Sequence, residues 1–438
     1  MNPMDNPQVF NNYDIRGACP KEVNEELAER LGKAIGTHAE GLVVVGGDTR
    51  DTTPNLKKSL IEGIRLCGCD VIDVGTGPTD LIAVAGTHYG AKMSVMVTAS
   101  HHGWNRNGFK LMYKKGNGFS NEDLAAVKKI YIKKSFVKSG EGAYENRAGE
   151  FKKEYLNRVV SCFKKHFSSI DAKVVVDCAN GATSIVLPEL LCELSAEVIK
   201  INCETKQDES INPEPDNGNR CYLTNILKEN NADIVVGCDI DGDRVFAYDS
   251  NGWWITGDEI FTILAKAIDA KKITASLDTS TMLSDVMATD VTLTRVGDIF
   301  VSKKAIENNS DFLGEPNGHY AFPEFSWYNS GTFAALILCA VAKKIPKILE
   351  NFPKYTTISK KFEFADNNEK ITKMEDITAI VDKKYEMISD LDGVKYKNKG
   401  AVVLIRPSGT KALIRVSAEG KNKKEVIESV DSVSTFFK

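Results

Sequence analysis

Short apolar runs followed by amphipathic stretches recur along the chain, the pattern of strands alternating with helices. The first run is 42–48 (LVVVGGD). After it Thr53 is placed to cap a helix, Pro54 suits the first helical position, and Leu56, Leu60, Ile61 and Ile64 fall on one face. A strand over 70–74, a helix near 80–88 and a strand over 92–98 follow. The pattern then decays into a Gly- and Lys-rich stretch up to about Arg147. A second block restarts with KVVVDCANG at 173–181, followed by a helix to about Leu194 and a strand over 197–201. It crosses a polar loop, INPEPDNGN, and resumes with a helix around 222–230 and the strand DIVVG at 233–237. A third block runs from a helix over 258–270 through the strands ITASL and VTLTR, each followed by a helix, to GEPNGHYAF at 314–322.

The blocks share element order rather than residue identity. Each predicts an α/β unit on a mixed or parallel sheet. From about Ser359 the order changes to strand, helix, two strands flanking RPSGTK, and a final helix over 423–437, which is an α+β order. The expected fold is therefore α/β: three similar α/β domains with mixed sheets plus a C-terminal α+β domain. The boundaries fall at 1–147, 148–252, 253–357 and 358–438. A length of 438 residues, at roughly 150 per domain, points to about three domains; the changed tail raises the count to four.

Composition narrows the class. Lys+Arg is 56 against 60 Asp+Glu, a net charge of −4, which leaves no electrostatic footprint for nucleic acid. The longest apolar run, 333–342 (FAALILCAVA), is too short to span a bilayer. The first residues lack a basic stretch followed by an apolar core, so no signal peptide is expected. Ten scattered cysteines without a CxxC pair fit small core residues in a reducing compartment. The expectation is a soluble, cytoplasmic, multidomain protein that binds neither nucleic acid nor membrane.

Four loops carry candidate chemistry. In TASHHGWNRNGFK (98–110) an apolar strand delivers Ser100 into a loop beyond a carboxyl strand end, with His101, His102 and Lys110 nearby. A polar loop with incidental histidines is the plain alternative. In GCDIDGDR (237–244) Asp239, Asp241 and Asp243 alternate after an apolar strand. On extended chain they share one side, and three close carboxylates call for a hard cation, with Mg²⁺ favoured. An EF-hand is the rival, but Arg244 and Ser250 occupy the positions of its Gly and Glu; an acidic surface turn also remains open. In GEPNGHYAF, Glu315, Asn317 and His319 suit sugar hydroxyls, or a solvated turn. In RPSGTKALIR (406–415), Arg406, Ser408, Gly409 and Thr410 suit a phosphate, or an ordinary hairpin loop.

With YDIRG at 13–17, these motifs stand in an order and spacing that resembles the α-D-phosphohexomutase superfamily, in particular the phosphomannomutase/phosphoglucomutase group. The resemblance covers nearly the whole chain and implies four domains around a central cleft. It implies that Ser100 is a phosphoserine and that Asp239, Asp241 and Asp243, joined by Ser100, hold Mg²⁺, with Arg244 beside them. Arg16, His101 and Lys110 would surround the phosphoserine, with Lys110 or His101 as general acid or base. Glu315, Asn317 and His319 would meet sugar hydroxyls, and Arg406, Ser408, Gly409, Thr410 and Arg415 the substrate's non-reacting phosphate.

The implied reaction interconverts hexose 1-phosphate and hexose 6-phosphate through a hexose 1,6-bisphosphate, which is also the activator. Hexose phosphates are the expected partners, with the chain a monomer or homodimer. An amino-sugar substrate is the alternative, because Asp298 stands where many members of the group carry His, similar to phosphoglucosamine mutases. A Mg²⁺-dependent sugar phosphatase and a non-catalytic sugar-phosphate binder are further alternatives. Three positions depart from the family pattern: His102-Gly103 for Asn-Pro, Asn317 for Ser, and Lys411-Ala412 for Glu-Pro.

Overall fold

A computed structural model describes residues 7–11, 13–408 and 411–437. Four sheets follow one another along the chain. The first has the spatial order Ile15–Ala18, Arg106–Tyr113, Met93–Val97, Val43–Gly47, Val71–Thr76 and Tyr144–Asn146. Its last four strands are parallel and its first two antiparallel. The second orders Trp254–Ile255, Val245–Asp249, Ile234–Cys238, Lys173–Asp177 and Glu197–Ile201, again mixed. The third is Val291–Thr294, Ile273–Ser276, Phe312–Glu315 and His319–Ala321, mixed as well. The fourth is antiparallel throughout: Thr356–Glu363, Leu413–Gly420, Ala401–Pro407, Val394–Asn398 and Glu386–Ser389. Three mixed α/β sheets followed by one antiparallel sheet of an α+β unit are the expected fold class.

The cores explain how the units are held. One apolar cluster runs from Val44 and Ile82 through Val174 and Val236 to Phe312 and Phe333, joining the first three sheets. The apolar run 333–342 lies largely in the buried helix Gly331–Ala340. The fourth sheet has its own core around Ile377, Tyr396, Val416 and Val430. It docks on the third through Lys395, whose Nζ donates to the carbonyls of Leu277 and Thr279 at 2.8 Å each. Among the described residues, no helix is long and apolar enough to cross a membrane.

Two local expectations are corrected. Thr52, not Thr53, is the N-cap of the helix Thr53–Arg65; the Thr53 hydroxyl instead donates to Asp48 at 2.7 Å. The Gly- and Lys-rich stretch is not irregular. It holds the strand Arg106–Tyr113, the helix Asn121–Lys133 and the strand Tyr144–Asn146. Gly108 obscured the strand, because a glycine weakens a strand pattern. Here it is required: a Cβ on Gly108 would stand 2.2 Å from the carbonyl oxygen of Ile15 on the neighbouring strand.

Candidate active site

The strand Met93–Val97 leads to Ser100 at the carboxyl end of the first sheet. Ser100 is buried and has φ 53°, a left-handed conformation that a side-chain-bearing residue keeps only when its surroundings hold it. Arg50 does the holding. Its side chain is wholly buried, with Nε 3.1 Å from Asp48. Its terminal nitrogens donate to the carbonyls of Ser100 (2.7 Å), His102 (2.7 Å), Gly103 (2.9 Å) and Arg106 (3.2 Å). One guanidinium thus fixes the whole 100–106 loop, including the departing pair His102-Gly103. Sequence reasoning missed Arg50. Its signal was an Asp-x-Arg directly after an apolar strand, but its partners are carbonyls some fifty residues away.

His101 places Nδ1 3.3 Å from Ser100 Oγ and Nε2 3.2 Å from Glu214 Oε2. Burial, then the cations Arg244 and Arg16 with His102, push its pKa down to about 2, so the ring is neutral. Glu214 also reaches Arg244 Nη1 at 3.3 Å and so ties the two loops together. It lies in the polar loop INPEPDNGN, which carried no motif to single it out. Arg16 donates to the Ala99 carbonyl at 3.2 Å and pairs with Asp14.

Asp239, Asp241 and Asp243 are buried, and one oxygen of each lies within 4.8 Å of the others; among the described residues this is the cluster able to hold a metal. The reason differs from the expected one. The segment is not extended but a tight turn, with Gly242 at φ 73° and its N–H donating to the Asp239 carbonyl at 3.2 Å. The turn converges the carboxylates and sends the chain back into the strand Val245–Asp249. Thr79, from the first unit, anchors it: its N–H donates to the Asp241 carbonyl at 2.9 Å and its hydroxyl to Asp241 Oδ2 at 3.2 Å.

Lys110 Nζ sits 2.6 Å from Asp241 Oδ2 and 2.5 Å from Asp243 Oδ2. Burial alone would lower its pKa; the two carboxylates outweigh that and hold it well above the usual lysine value. Burial and its two like-charged neighbours push Asp239 up. Asp241 Oδ1 is buried with no hydrogen-bond partner. An orphaned acceptor within an all-oxygen set suits a hard divalent cation such as Mg²⁺. Ser100 Oγ lies 3.4 Å from Asp239 Oδ2, across 139 residues of chain.

The third unit closes the cleft. Glu315 ends one strand and His319 opens the next. Glu315 Oε1 accepts from Gly297 N–H at 2.7 Å, and Asn317 Oδ1 accepts from His319 N–H at 3.3 Å. His319 Nε2 is 3.3 Å from Asp243 Oδ1. Burial would depress this imidazole, but Asp243 prevails and raises it to about 9. Arg16, Ser100, Lys110, Asp243, Arg244 and His319 line one cleft of about 160 Å³, together with Asp298.

The fourth unit stands apart from that cleft. Arg406 lies 3.6 Å from Asp278 and 3.5 Å from Asp392, and faces Arg415 across the ladder. With Ser408 they line a separate cavity of about 250 Å³. Lys370, another residue without a sequence signal, donates to the carbonyls of Ser408 (2.8 Å) and Lys411 (3.2 Å) on either side of the loop tip. Gly409 and Thr410 lie outside the described residues.

Three α/β units meeting on a carboxylate-lined cleft beside a fourth, α+β unit, with a serine from the first against an acidic turn of the second, have the architecture of a phosphohexomutase. Sequence comparison agrees in every unit. Profiles described as phosphoglucomutase/phosphomannomutase α/β/α domains I, II and III match residues 7–138, 153–252 and 256–355, and the C-terminal domain of the same family matches 360–434. The chain belongs to the phosphoglucomutase/phosphomannomutase family of the α-D-phosphohexomutase superfamily and is an enzyme of the phosphotransferring mutase type.

The chain is 33% identical to a phosphoglucomutase/phosphomannomutase of Thermococcus kodakarensis, over 97% of each chain. It is 31% identical to a probable phosphoglucosamine mutase of Methanosarcina barkeri, over 98% of this chain and 99% of that one. Its fold is shared with a phosphoglucomutase/phosphomannomutase family protein of Burkholderia thailandensis, with a TM-score of 0.86 and 22% identity over 98% of this chain and 97% of that one.

Proposed function

We propose that the protein interconverts hexose 1-phosphate and hexose 6-phosphate, of mannose, glucose or both, through a phosphoserine at Ser100 and a hexose 1,6-bisphosphate. The observation that carries this is the 3.4 Å approach of Ser100 Oγ to Asp239. A hydroxyl at the edge of a cation-binding carboxylate turn is placed for phosphoryl transfer, where catalysis is mainly positioning and charge stabilisation. Asp239, Asp241 and Asp243 would hold Mg²⁺, which supplies charge neutralisation at the phosphoryl oxygens. Arg50 aims the serine. Lys110, held charged by its carboxylates, keeps its proton and acts through charge, with Arg16 and Arg244 beside it. His101 turns Nδ1 toward Ser100 Oγ; the negative charge of a phosphoryl group there would raise the basicity that burial and the neighbouring cations depress, and the ring is our general acid or base. Arg406, Ser408 and Arg415, with Gly409 and Thr410, would bind the phosphate that does not react. Domain boundaries at 147, 252 and 357 are part of this reading.

An amino-sugar phosphate is the second reading, favoured by one feature: the Asp298 carboxylate lines the cleft beside Lys110 and His319. Such a carboxylate is a partner for a 2-ammonium group. A coupled assay on the 1-phosphates of glucose, mannose and glucosamine, with Mg²⁺ and bisphosphate activator, separates the two. Equal or better turnover of glucosamine phosphate selects the second reading. Steady release of inorganic phosphate with no isomerisation selects a phosphatase and rejects both. Ser100→Ala must abolish phosphoprotein and turnover together; full activity in that variant would exclude the mechanism.

A further inference from the structure

One cluster in the second sheet is left unused by this chemistry. Cys178 directly follows the strand Lys173–Asp177, and Cys203 lies two residues beyond Glu197–Ile201. The strands are parallel, with Asp177 opposite Ile201, and the ladder continues as Cys178 N–H donates to the Ile201 carbonyl at 3.3 Å. Beyond that bond the ladder ends, because Asn202 is left-handed at φ 47° and turns the chain at Cys203. The Cys203 thiol donates to the Ile201 carbonyl at 3.2 Å, the same carbonyl that accepts from Cys178 N–H, and to that of Val176 at 3.6 Å, so its sulfur lies against the backbone at Cys178. Both thiols are free; Cys178 is fully buried, whereas Cys203 is partly open to solvent.

The segment after Cys178 backs the carboxylate turn. Ala179 and Asn180 are left-handed, at φ 51° and 53°. Ala182 N–H donates at 2.6 Å to the carbonyl of Ile240, the residue between Asp239 and Asp241. The Asn180 carbonyl accepts from Thr49 of the first unit at 2.7 Å. A pull on Cys178 is therefore transmitted to the turn.

We propose that Cys178 and Cys203 form an oxidation-sensitive pair, which a hydroperoxide closes to a disulfide, and that closure loosens the Asp239–Asp243 turn. This goes beyond the mutase reading, and the oxidation itself does not depend on it. The Cys203 thiolate attacks one peroxide oxygen, and the O–O bond breaks. Cys203 becomes a sulfenic acid and the departing hydroxide takes up the thiol proton as water. Cys178 then attacks that sulfur; the S–S bond forms, the S–O bond breaks, and the second water carries off the Cys178 proton. Two thiols are oxidised and one peroxide is reduced to two waters.

The test uses the full chain with the exposed thiols silenced by Cys192→Ser and Cys221→Ser, treated with hydrogen peroxide. Intact mass should fall by two hydrogens, non-reducing peptide mapping should link Cys178 to Cys203, and dithiothreitol should reverse both. Cys178→Ser should stop at a Cys203 sulfenic acid that dimedone traps, and Cys203→Ser should give no link. Mn²⁺ binding, followed by its electron paramagnetic resonance signal, should weaken about fivefold in the linked chain, the worth of one lost hydrogen bond at Ile240. It should be unchanged in peroxide-treated Cys203→Ser. A Cys178 thiol still open to alkylation after unfolding, or a link to another cysteine, overturns the pair. A correct link with unaltered Mn²⁺ affinity overturns its coupling to the turn.

Discussion

Arg50→Lys and Arg50→Met test whether a single guanidinium sets the reactive serine. In Arg50→Met the Asp48 carboxylate stays buried without its ion partner, a cost of about 3–5 kcal/mol. Four carbonyls, those of Ser100, His102, Gly103 and Arg106, lose a donor. Each would cost about 1–3 kcal/mol if left dry, but water entering the vacated space satisfies most of them. The net local destabilisation is about 5 kcal/mol. Lysine restores the ion pair but offers three hydrogens from one point where the fork spreads five. Arg50→Lys therefore recovers the Asp48 contribution and not the loop. With the loop free, Ser100 relaxes from its left-handed conformation, and a misplacement of about 1 Å costs turnover on the order of 100-fold. Hydrogen exchange of the peptide spanning 98–106, read beside the coupled mutase assay, checks both effects. Arg50→Lys should show fast exchange in that peptide and low kcat with little change in KM. Parental exchange and parental kcat in Arg50→Lys would refute the clamp.

Four further outcomes follow from the same contacts. Asp80 is fully buried, accepts from Tyr155 at 2.8 Å and from Ser330, and is raised by burial to about 7. Its folded pKa exceeds the unfolded value, so the folded state retains a proton that the unfolded chain releases, and stability falls as pH rises between about 4 and 7. Asp80→Asn should flatten that fall, by on the order of 4 kcal/mol, in thermal or denaturant melts across the window; an unaltered pH dependence would count against it. Chelation of divalent ions should stop turnover yet leave circular dichroism intact, because Lys110 still neutralises Asp241 and Asp243; Mg²⁺ should restore the rate. Lys370→Met removes the charged donor under the Ser408 and Lys411 carbonyls and should raise KM about tenfold with kcat nearly constant. Lys411→Glu places a carboxylate beside the proposed phosphate loop and should also raise KM; an unchanged KM would mean that Lys411 points only to solvent.

Legibility followed how local each signal was. The strand-to-loop transitions at Thr98 and Gly237 are written in adjacent residues, so the serine loop and the acidic turn could be found from sequence. The reason for the convergence of Asp239, Asp241 and Asp243 could not, because it depends on the left-handed Gly242 rather than on strand alternation. Lys110 lies on a strand that its own glycine disguised, and the requirement for Gly108 appears only when the Ile15–Ala18 strand is alongside. Arg50, Thr79, Glu214 and Lys370 were missed for a shared reason. Each acts on backbone or side-chain groups far along the chain, and such a long-range contact has no sequence spacing to betray it. The motif around Arg406 could be singled out from sequence, but its separation from the Ser100 cleft is a matter of domain placement, which pattern does not encode.

The most direct measurement is the fate of a labelled phosphate. The purified protein, with Mg²⁺ and glucose 1,6-bisphosphate labelled at both phosphates, should gain one phosphoryl group, located on Ser100 by peptide mapping. Adding an unlabelled hexose 6-phosphate should carry the label away as bisphosphate, with no inorganic phosphate formed. Label on another residue, or label lost to water, would contradict the assignment.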